Sequence, residues 1–267
     1  MTKFGLSYNL FNAEEHFLPS LRNHRPYVDY INVVVQYKSN WGEEASEKLH
    51  ESILISKKDK LVDDVIEYIP DYSLHPQVNE LIKRNIGLQH AKKKKVKYFM
   101  TIDADEYYIQ DSFSDAIKYI KKNKILLTAA HSYLHIKRPI YRSKYPDTTC
   151  VCFFSSIEGI DKIVMSDFFP TKNIDPTRRI NGHAKNFYMF PQEELSMMHM
   201  NLVRIDNLKS KLENTSSRNM VEFIDNVKST YQNYKFGNIL HFPNKPPMQI
   251  IKVPDYFCID KMFKDLN

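Results

Sequence analysis

The stretch Tyr98-Phe99-Met100-Thr101-Ile102 runs directly into Asp103-Ala104-Asp105-Glu106. Five consecutive apolar or β-favouring residues read as a strand covered on both faces. Two carboxylates separated by one small residue then emerge at its end. Held beside an apolar strand, they cost free energy unless positive charge neutralises them. In open parallel sheets, ligands bind beyond the carboxyl ends of the strands, which is where this pair falls. A divalent cation meets the charge requirement, and hard oxygen ligands suit magnesium or manganese. Such an ion can bridge a pyrophosphate and stabilise charge on it as a bound group departs. The plainer reading has the same acids capping the next helix or pairing with nearby lysines.

The residues around this junction alternate between strand and helix patterns. Strands are expected at 4–8, 31–36 (INVVVQ), 65–69, 98–102 and 125–130. Helices are expected from Asn12, with Glu15 reaching back as its capping partner, and over 43–54 after an Asn40-Trp41-Gly42 turn. Pro19 is expected to end or kink the first of them. A third helix spans 78–91, with Val78, Leu81, Ile82 and Ile86 forming one apolar stripe. Asn85 falls on that stripe and needs a partner, either a neighbouring loop or a ligand. Ser112 and Asp115 match a capping box for a helix ending near Lys122. Strand and helix in alternation imply an α/β fold with a mostly parallel sheet and right-handed crossovers.

The second half is less regular. A strand is expected at 151–155, a long polar loop holding Pro170 and Pro176 at 167–183, and a helix through Ile205, Leu208 and Leu212. Loops of that length in compact domains often act as functional lids. The tail carries Pro243, Pro246, Pro247 and Pro254 and reads as extended over the surface.

Bulk properties exclude some classes. The 267 residues are enough for one sizeable α/β domain, and 42% hydrophobic content argues against disorder. Net charge is +6, which permits an anionic ligand. The lysine run at 92–95 reads as a solvated helix end, where cations complement the helix dipole. No interleaving of aromatic and basic residues forms a nucleic-acid groove, so nucleic acid is not an expected partner. Three cysteines, Cys150, Cys152 and Cys258, lack metal-ligand spacing and a disulfide framework, and point to a reducing compartment. The N-terminus shows no signal-peptide pattern, and no apolar run reaches membrane-span length. The expected location is cytoplasmic, with membrane association limited to peripheral contact at an inner face.

Between Lys83 and Tyr107 the sequence carries a longer pattern: Lys83-Arg84-Asn85-Ile86-Gly87-Leu88, then Ala91, then the apolar strand and Asp103-Ala104-Asp105-Glu106. This resembles the core of family 2 and related glycosyltransferases of the GT-A fold, in which an R-N-x-G-L-x-x-A helix precedes a strand ending in D-x-D. A second segment, Met198-His199-Met200-Asn201-Leu202-Val203-Arg204, resembles the H-M-x-x-V-R stretch of related bacterial and viral glycosyltransferases. The resemblance implies a nucleotide-sugar donor and a glycan acceptor in surface polysaccharide synthesis, with Mn2+ or Mg2+ as cofactor. It implies a metal held by Asp103, Asp105 and His199, with Asp105 the main ligand, Asp103 contacting the ribose or the metal through water, and His183 as the rival histidine. Arg84 and Asn85 would lie near the nucleotide, and Tyr8 and Asn9 would flank the base. Arg204 or Lys209 would hold the diphosphate. Ser39 and Asn40 stand where the family often has an acid.

An inverting transferase needs a base for the acceptor hydroxyl, whereas a retaining one need not use a protein base in the same way; the candidates are Glu158, Asp161, Asp167 and Asp175, with Asp167 the choice because it precedes the long loop. The expected organisation is one catalytic domain, with a nucleotide-sugar-binding half at 1–130 and an acceptor-binding half with a C-terminal extension at 131–267. Two rivals remain at this stage. A nucleotidyltransferase would have a Gly-rich loop after its first strand, whereas Asn9-Leu10-Phe11-Asn12 contains no glycine. A non-catalytic binding protein of the same fold would keep the pocket without turnover.

Overall fold

The computed structural model describes residues 2–264 except 166–168, 172, 207 and 244. The chain folds as β1 Phe4–Leu10, α1 Glu14–His24, β2 Tyr30–Val35, α2 Glu47–Lys58, β3 Asp64–Glu67, α3 Pro76–Lys93, β4 Tyr98–Asp103, β5 Glu106–Tyr108, α4 Gln110–Asn123, β6 Leu127–Ile136 and β7 Arg138–Ser143. Then come β8 Cys150–Cys152, β9 Ser155–Ser156, β10 Phe187–Met189, β11 Ser196–Leu202, α5 Lys209–Asn214, α6 Val221–Asn233, β12 Ile239–Leu240 and β13 Met248–Lys252.

Two sheets share the work. The first has the order β3-β2-β1-β4-β9, with every pair parallel except the short antiparallel β9. Both central strands are buried on both faces, as helices packed against a parallel sheet require. The second sheet, β12-β13-β7-β6-β11-β5, is mixed, and β8 and β10 also pair with β6. The two sheets meet at residues 103–106: β4 ends at Asp103 in the first sheet, and β5 begins at Glu106 in the second. β11 runs antiparallel to β5 and sets His199 opposite Glu106. A backbone bond from Met200 N–H to the Asp105 carbonyl, 2.8 Å, fixes this junction.

Helix α3 turns a different face inward from the one its apolar stripe indicates. Val78, Leu81, Ile82 and Ile86 are only half-buried, and the buried positions are Pro76, Asn79, Lys83, Arg84, Gly87, Leu88 and Ala91. The charged residues of that face are directed at the carboxyl ends of the first sheet's strands. Packing is closest at Gly87. The Ser7 hydroxyl donates to Asn32 Oδ1 (2.6 Å), and Asn32 Nδ2 donates to the Gly87 carbonyl (3.0 Å), tying β1, β2 and α3 together. A Cβ at residue 87 would stand 2.7 Å from Ser7 Cβ and closer still to its hydroxyl.

Several local expectations give way to tertiary contacts. Asn12 does not cap α1. It takes positive φ, as does Ala13, the actual cap residue, and its amide donates to Ser210 Oγ instead. Pro19 lies inside α1, which continues to His24. The helix loses one backbone bond there, at a cost of about 3 kcal/mol, offset by burial of Phe17, Leu21 and a polar cluster. Within that cluster the Tyr8 hydroxyl meets Ser20 Oγ at 3.0 Å and His24 Nδ1 at 2.9 Å. Helix α4 begins at Gln110 without a side-chain cap, and Asp115 pairs with Lys118 rather than closing a capping box. Helix α2 starts four residues later than expected, at Glu47.

Two outcomes follow from this packing. Gly87→Ala is expected to destabilise the protein by about 1–3 kcal/mol through overpacking, although alanine is the better helix former by roughly 1 kcal/mol. Denaturant unfolding would show the loss, and unchanged or raised stability would contradict the close approach. Burial pushes the His24 ring down to about 3, so it stays neutral when folded. The unfolded chain takes up that proton near pH 6.5, so this site's contribution is complete above that pH and drains away toward pH 3. His24→Asn is expected to flatten the stability–pH slope between pH 6 and 4 by about 1.4 kcal/mol per unit. An unaltered slope would mean that His24 is protonated in the folded protein.

Candidate functional site

A cleft of about 920 Å³ opens beyond the carboxyl ends of β1, β2 and β4. Asn9 and Asn12 enter it from β1 and the turn after it, Gln36 and Asn40 from the segment after β2, and Lys83 and Arg84 from the inward face of α3. Asp103 and Asp105 form its floor, and Arg204, Lys209 and Lys211 come from the segment after β11.

Asp105 is the most heavily engaged group. It is 4% exposed. Its Oδ2 accepts from the Arg204 guanidinium and from Lys211 Nζ at 2.9 Å, and its Oδ1 lies 3.7 Å from His199 Nε2. Burial alone would raise the carboxyl, but the charges of Lys211 and Arg204 overcome it and hold Asp105 well below the usual carboxylate range. Burial pushes the His199 ring down to about 4, so at neutral pH it is an uncharged imidazole facing a carboxylate oxygen. Arg204 also lies 3.6 Å from Glu15, whose carboxyl burial raises.

Asp103 belongs to a second cluster and is more open. Its carboxylate pairs with Arg178, and Arg84 lies 3.6 Å away. Arg178 also donates to Glu106 at 2.7 Å and lies 3.5 Å from Asp175. Burial pushes Glu106 up to about 7, against the opposing charge of Arg178. Arg84 donates to Thr177 Oγ1 (3.0 Å) and Thr101 Oγ1, and reaches Asp175 at 3.6 Å. Lys83 donates to Gln36 Oε1 at 2.6 Å, and burial lowers its ammonium to about 8.

The remaining expected site residues divide clearly. The Asn9 amide is buried without a hydrogen-bond partner at the edge of the cleft, and Lys209 also lines it. Tyr8 lies in the core, its hydroxyl spent on Ser20 and His24, and does not flank the cleft. Asn85 does not face it either. Its amide donates to the Leu81 and Ile163 carbonyls and accepts from the Ile163 N–H at 2.7 Å, so it ties α3 to a loop. His183 is absent from the cleft lining, and so is His199, whose ring stands behind Asp105 at 3.7 Å. Asp167 lies outside the described residues. Of the other acids, Glu158 and Asp161 pair with Lys97 and Lys92 on the surface. Asp175 lines the cleft, and although burial raises its carboxyl, Arg84 and Arg178 hold it below the ordinary value, which disfavours it as a proton acceptor.

Arg178 and the Lys83–Gln36 pair were missed as site residues. Arg178 sits in the Asp175-Pro176-Thr177-Arg178-Arg179 stretch, a polar loop without a recognisable spacing. The one available signal was its pair of adjacent arginines. Lys83 was hidden by the apolar stripe on the opposite face of α3.

The three expected metal ligands do not converge. Among the described residues no group of three His, Cys, Asp or Glu side chains is placed to hold an ion, because Asp103 is turned to its guanidinium partners. Asp105 Oδ1 and His199 Nε2 do face each other. One carboxylate oxygen and one imidazole nitrogen are two possible donors, and Mg2+ or Mn2+ would need substrate phosphate oxygens and water to complete its shell.

No protein-family model matches the chain, and no curated protein does. Among solved structures, S. aureus TarS aligns over 50% of this chain and 22% of its own, at 16% identity and a TM-score of 0.35. TarS 1-349 in complex with UDP aligns over 51% of this chain and 36% of its own (14% identity, TM-score 0.33), and the complex with UDP-GlcNAc over 51% and 34% (14%, 0.34). The alignment thus spans half of this chain and about a third or less of those chains.

Asp105→Ala is expected to cost about 3–5 kcal/mol, because it leaves Arg204 and Lys211 buried without their counter-charge. Asp103→Ala is expected to cost less, because Arg178 keeps Glu106 and Asp175. Urea unfolding of both variants decides the ranking, and equal losses would contradict the hub role of Asp105.

Proposed function

We propose that the protein is a glycosyltransferase that moves a sugar from a nucleotide-diphosphate sugar to a hydroxyl of a glycan acceptor. The observation that carries this reading is the convergence of Asp105, His199, Arg204 and Lys211 beyond the carboxyl end of a parallel β4. It brings the two sequence segments that resemble GT-A glycosyltransferases to one point, although about a hundred residues separate them. The place is the ligand crevice of open α/β sheets. The unpartnered Asn9 amide at its edge supplies a polar contact that a nucleotide can satisfy.

In this reading Lys211 and Arg204 take the negative charge that builds on the departing diphosphate, already fixed in position by Asp105 before substrate arrives. The second half of the chain supplies the acceptor side. Asp105 Oδ1 and His199 Nε2 are the residues that would hold Mn2+ or Mg2+. Bound there, the ion would supply Lewis-acid stabilisation of the leaving diphosphate. The cleft electrostatics favour such an ion: eleven acidic side chains and six basic ones line it, so an uncompensated diphosphate enters against the local field.

Incubation with UDP-, GDP-, CDP- and dTDP-linked sugars and MnCl2 tests the reading, with chromatography of the released nucleoside diphosphate as readout. One class of donor is expected to be consumed, EDTA to suppress the release, and His199→Gln to lower it at least about a hundredfold while the protein stays folded; even supporting residues of metal sites reach that scale. Full activity in EDTA or in His199→Gln would remove the metal from the scheme. Failure to consume any donor in a folded sample would remove the transferase assignment.

A further inference from the structure

Helix α5 carries Lys211 and Asn214 to the cleft, yet none of its six residues is buried. Its apolar seat is small: Leu212 packs against the core cluster that also holds Leu208, the buried residue before the helix. Its cleft side rests on polar contacts with two distant segments. The Asn12 amide donates to Ser210 Oγ. The Trp41 indole N–H donates to the Thr215 carbonyl at 3.1 Å. Glu43 accepts from Arg218 at 2.8 Å and from Asn214 Nδ2 at 3.5 Å. The Arg218 guanidinium also stands 5.6 Å from the centre of the Trp41 ring, within cation–π range. These contacts join residues more than 170 positions apart and span the mouth of the cleft.

What α5 holds over the cleft points to a ligand. Asn214 spends its Nδ2 on Glu43 and on the Ser210 carbonyl, but its Oδ1 is buried with no hydrogen-bond partner among the described residues. Both Asn214 Oδ1 and the Asn9 amide belong to side chains lining the same cleft. At two sides of one cleft, then, the protein leaves hydrogen-bonding capacity that it does not use itself.

We propose that Trp41 and Glu43 are positioning residues: they latch the 208–218 segment across the cleft and so set Lys211 and Asn214 on a bound nucleoside diphosphate. The nucleotide part of this proposal rests on the transferase reading; the latch itself does not. Trp41 touches no reacting group. It acts through the Thr215 carbonyl and Arg218, and so on the orientation of α5. Leu208 and Leu212 anchor the start of the segment, but 213–218 carries no apolar side chain, so loss of a latch contact should loosen that part without unfolding the sheets.

The test uses Trp41→Phe and Glu43→Gln in the full chain. Trp41→Phe keeps the ring under Arg218 and removes the indole donor; Glu43→Gln removes the charge and keeps the shape. Hydrogen exchange is measured at amides 209–218, and affinity for UDP, GDP, CDP and dTDP is measured with MnCl2. In the wild type, the nucleotide that binds is expected to slow exchange across 209–218 and to change the emission of Trp41, the single tryptophan of the chain. Both variants are expected to exchange that segment about tenfold faster and to bind the nucleotide about tenfold more weakly, the scale of one lost hydrogen bond, with β1 and β4 unaffected. Wild-type exchange at 209–218 in both variants would overturn the latch. Faster exchange with unchanged nucleotide affinity would overturn its positioning role. If the wild type binds none of the four nucleotides, the donor reading fails, and the exchange data alone decide the latch.

Discussion

A carboxylate as deeply buried as Asp105 is stable only with its counter-charges beside it, and in this chain those counter-charges come from the far end of the sequence. Arg204 and Lys211 both converge on Asp105 Oδ2, while the Met200 N–H bonds the Asp105 backbone carbonyl. Side chain and main chain thus weld the end of β4 to β11 and to the segment after it. The orientation of the second sheet against the first, and the mouth of the cleft between them, follow from that weld. One oxygen of the same carboxylate remains turned toward a neutral imidazole. The group that joins the two sheets thus keeps one oxygen free of cationic partners.

The surrounding charges are arranged in two clusters around the cleft floor. One centres on Asp105 with cations that come from beyond β11. The other centres on Arg178, which draws Asp103, Glu106 and Asp175 around a single guanidinium. The helix between them, α3, contributes Arg84 and Lys83 from its inward face, and Gly87 lets that face approach β1 closely enough for both to reach the site. Close packing and charge pairing share one surface here, and this explains why a helix with an apparent apolar stripe turns its charged side inward. The favourable pairing available at the strand ends outweighs the partial exposure of Leu81, Ile82 and Ile86.

The parallel first sheet was legible in the sequence because its strands are continuous apolar runs, INVVVQ and YFMTI, each closed by polar residues. The carboxylate pair was legible for the same reason: a charged group at the end of a buried run has few places to go. His199 and Arg204 entered through resemblance alone. No local signal announced that β11 would pair with β5 and carry the histidine to Glu106, because strand pairing across ninety residues leaves no periodic trace. The face of α3 was misread because a hydrophobic stripe records what is apolar, not what is paired. Asn12 and Pro19 departed from local rules where long-range contacts were worth more: the amide of Asn12 joins α5, and Pro19 is tolerated because α1 is anchored through Phe17, Leu21 and His24. Arg178 gave only the weak signal of its adjacent Arg179, since a loop arginine acquires meaning only when three carboxylates gather around it.

The proposed site for a nucleoside diphosphate and a divalent ion centres on Asp105 and His199. Thermal melting with nucleoside diphosphates, each with and without MnCl2, tests it most directly, because a ligand that binds only the folded state raises the midpoint. A rise is expected with one nucleotide, requiring manganese and disappearing in His199→Ala. No rise with any nucleotide in a well-folded sample, or a rise that His199→Ala leaves intact, would contradict it.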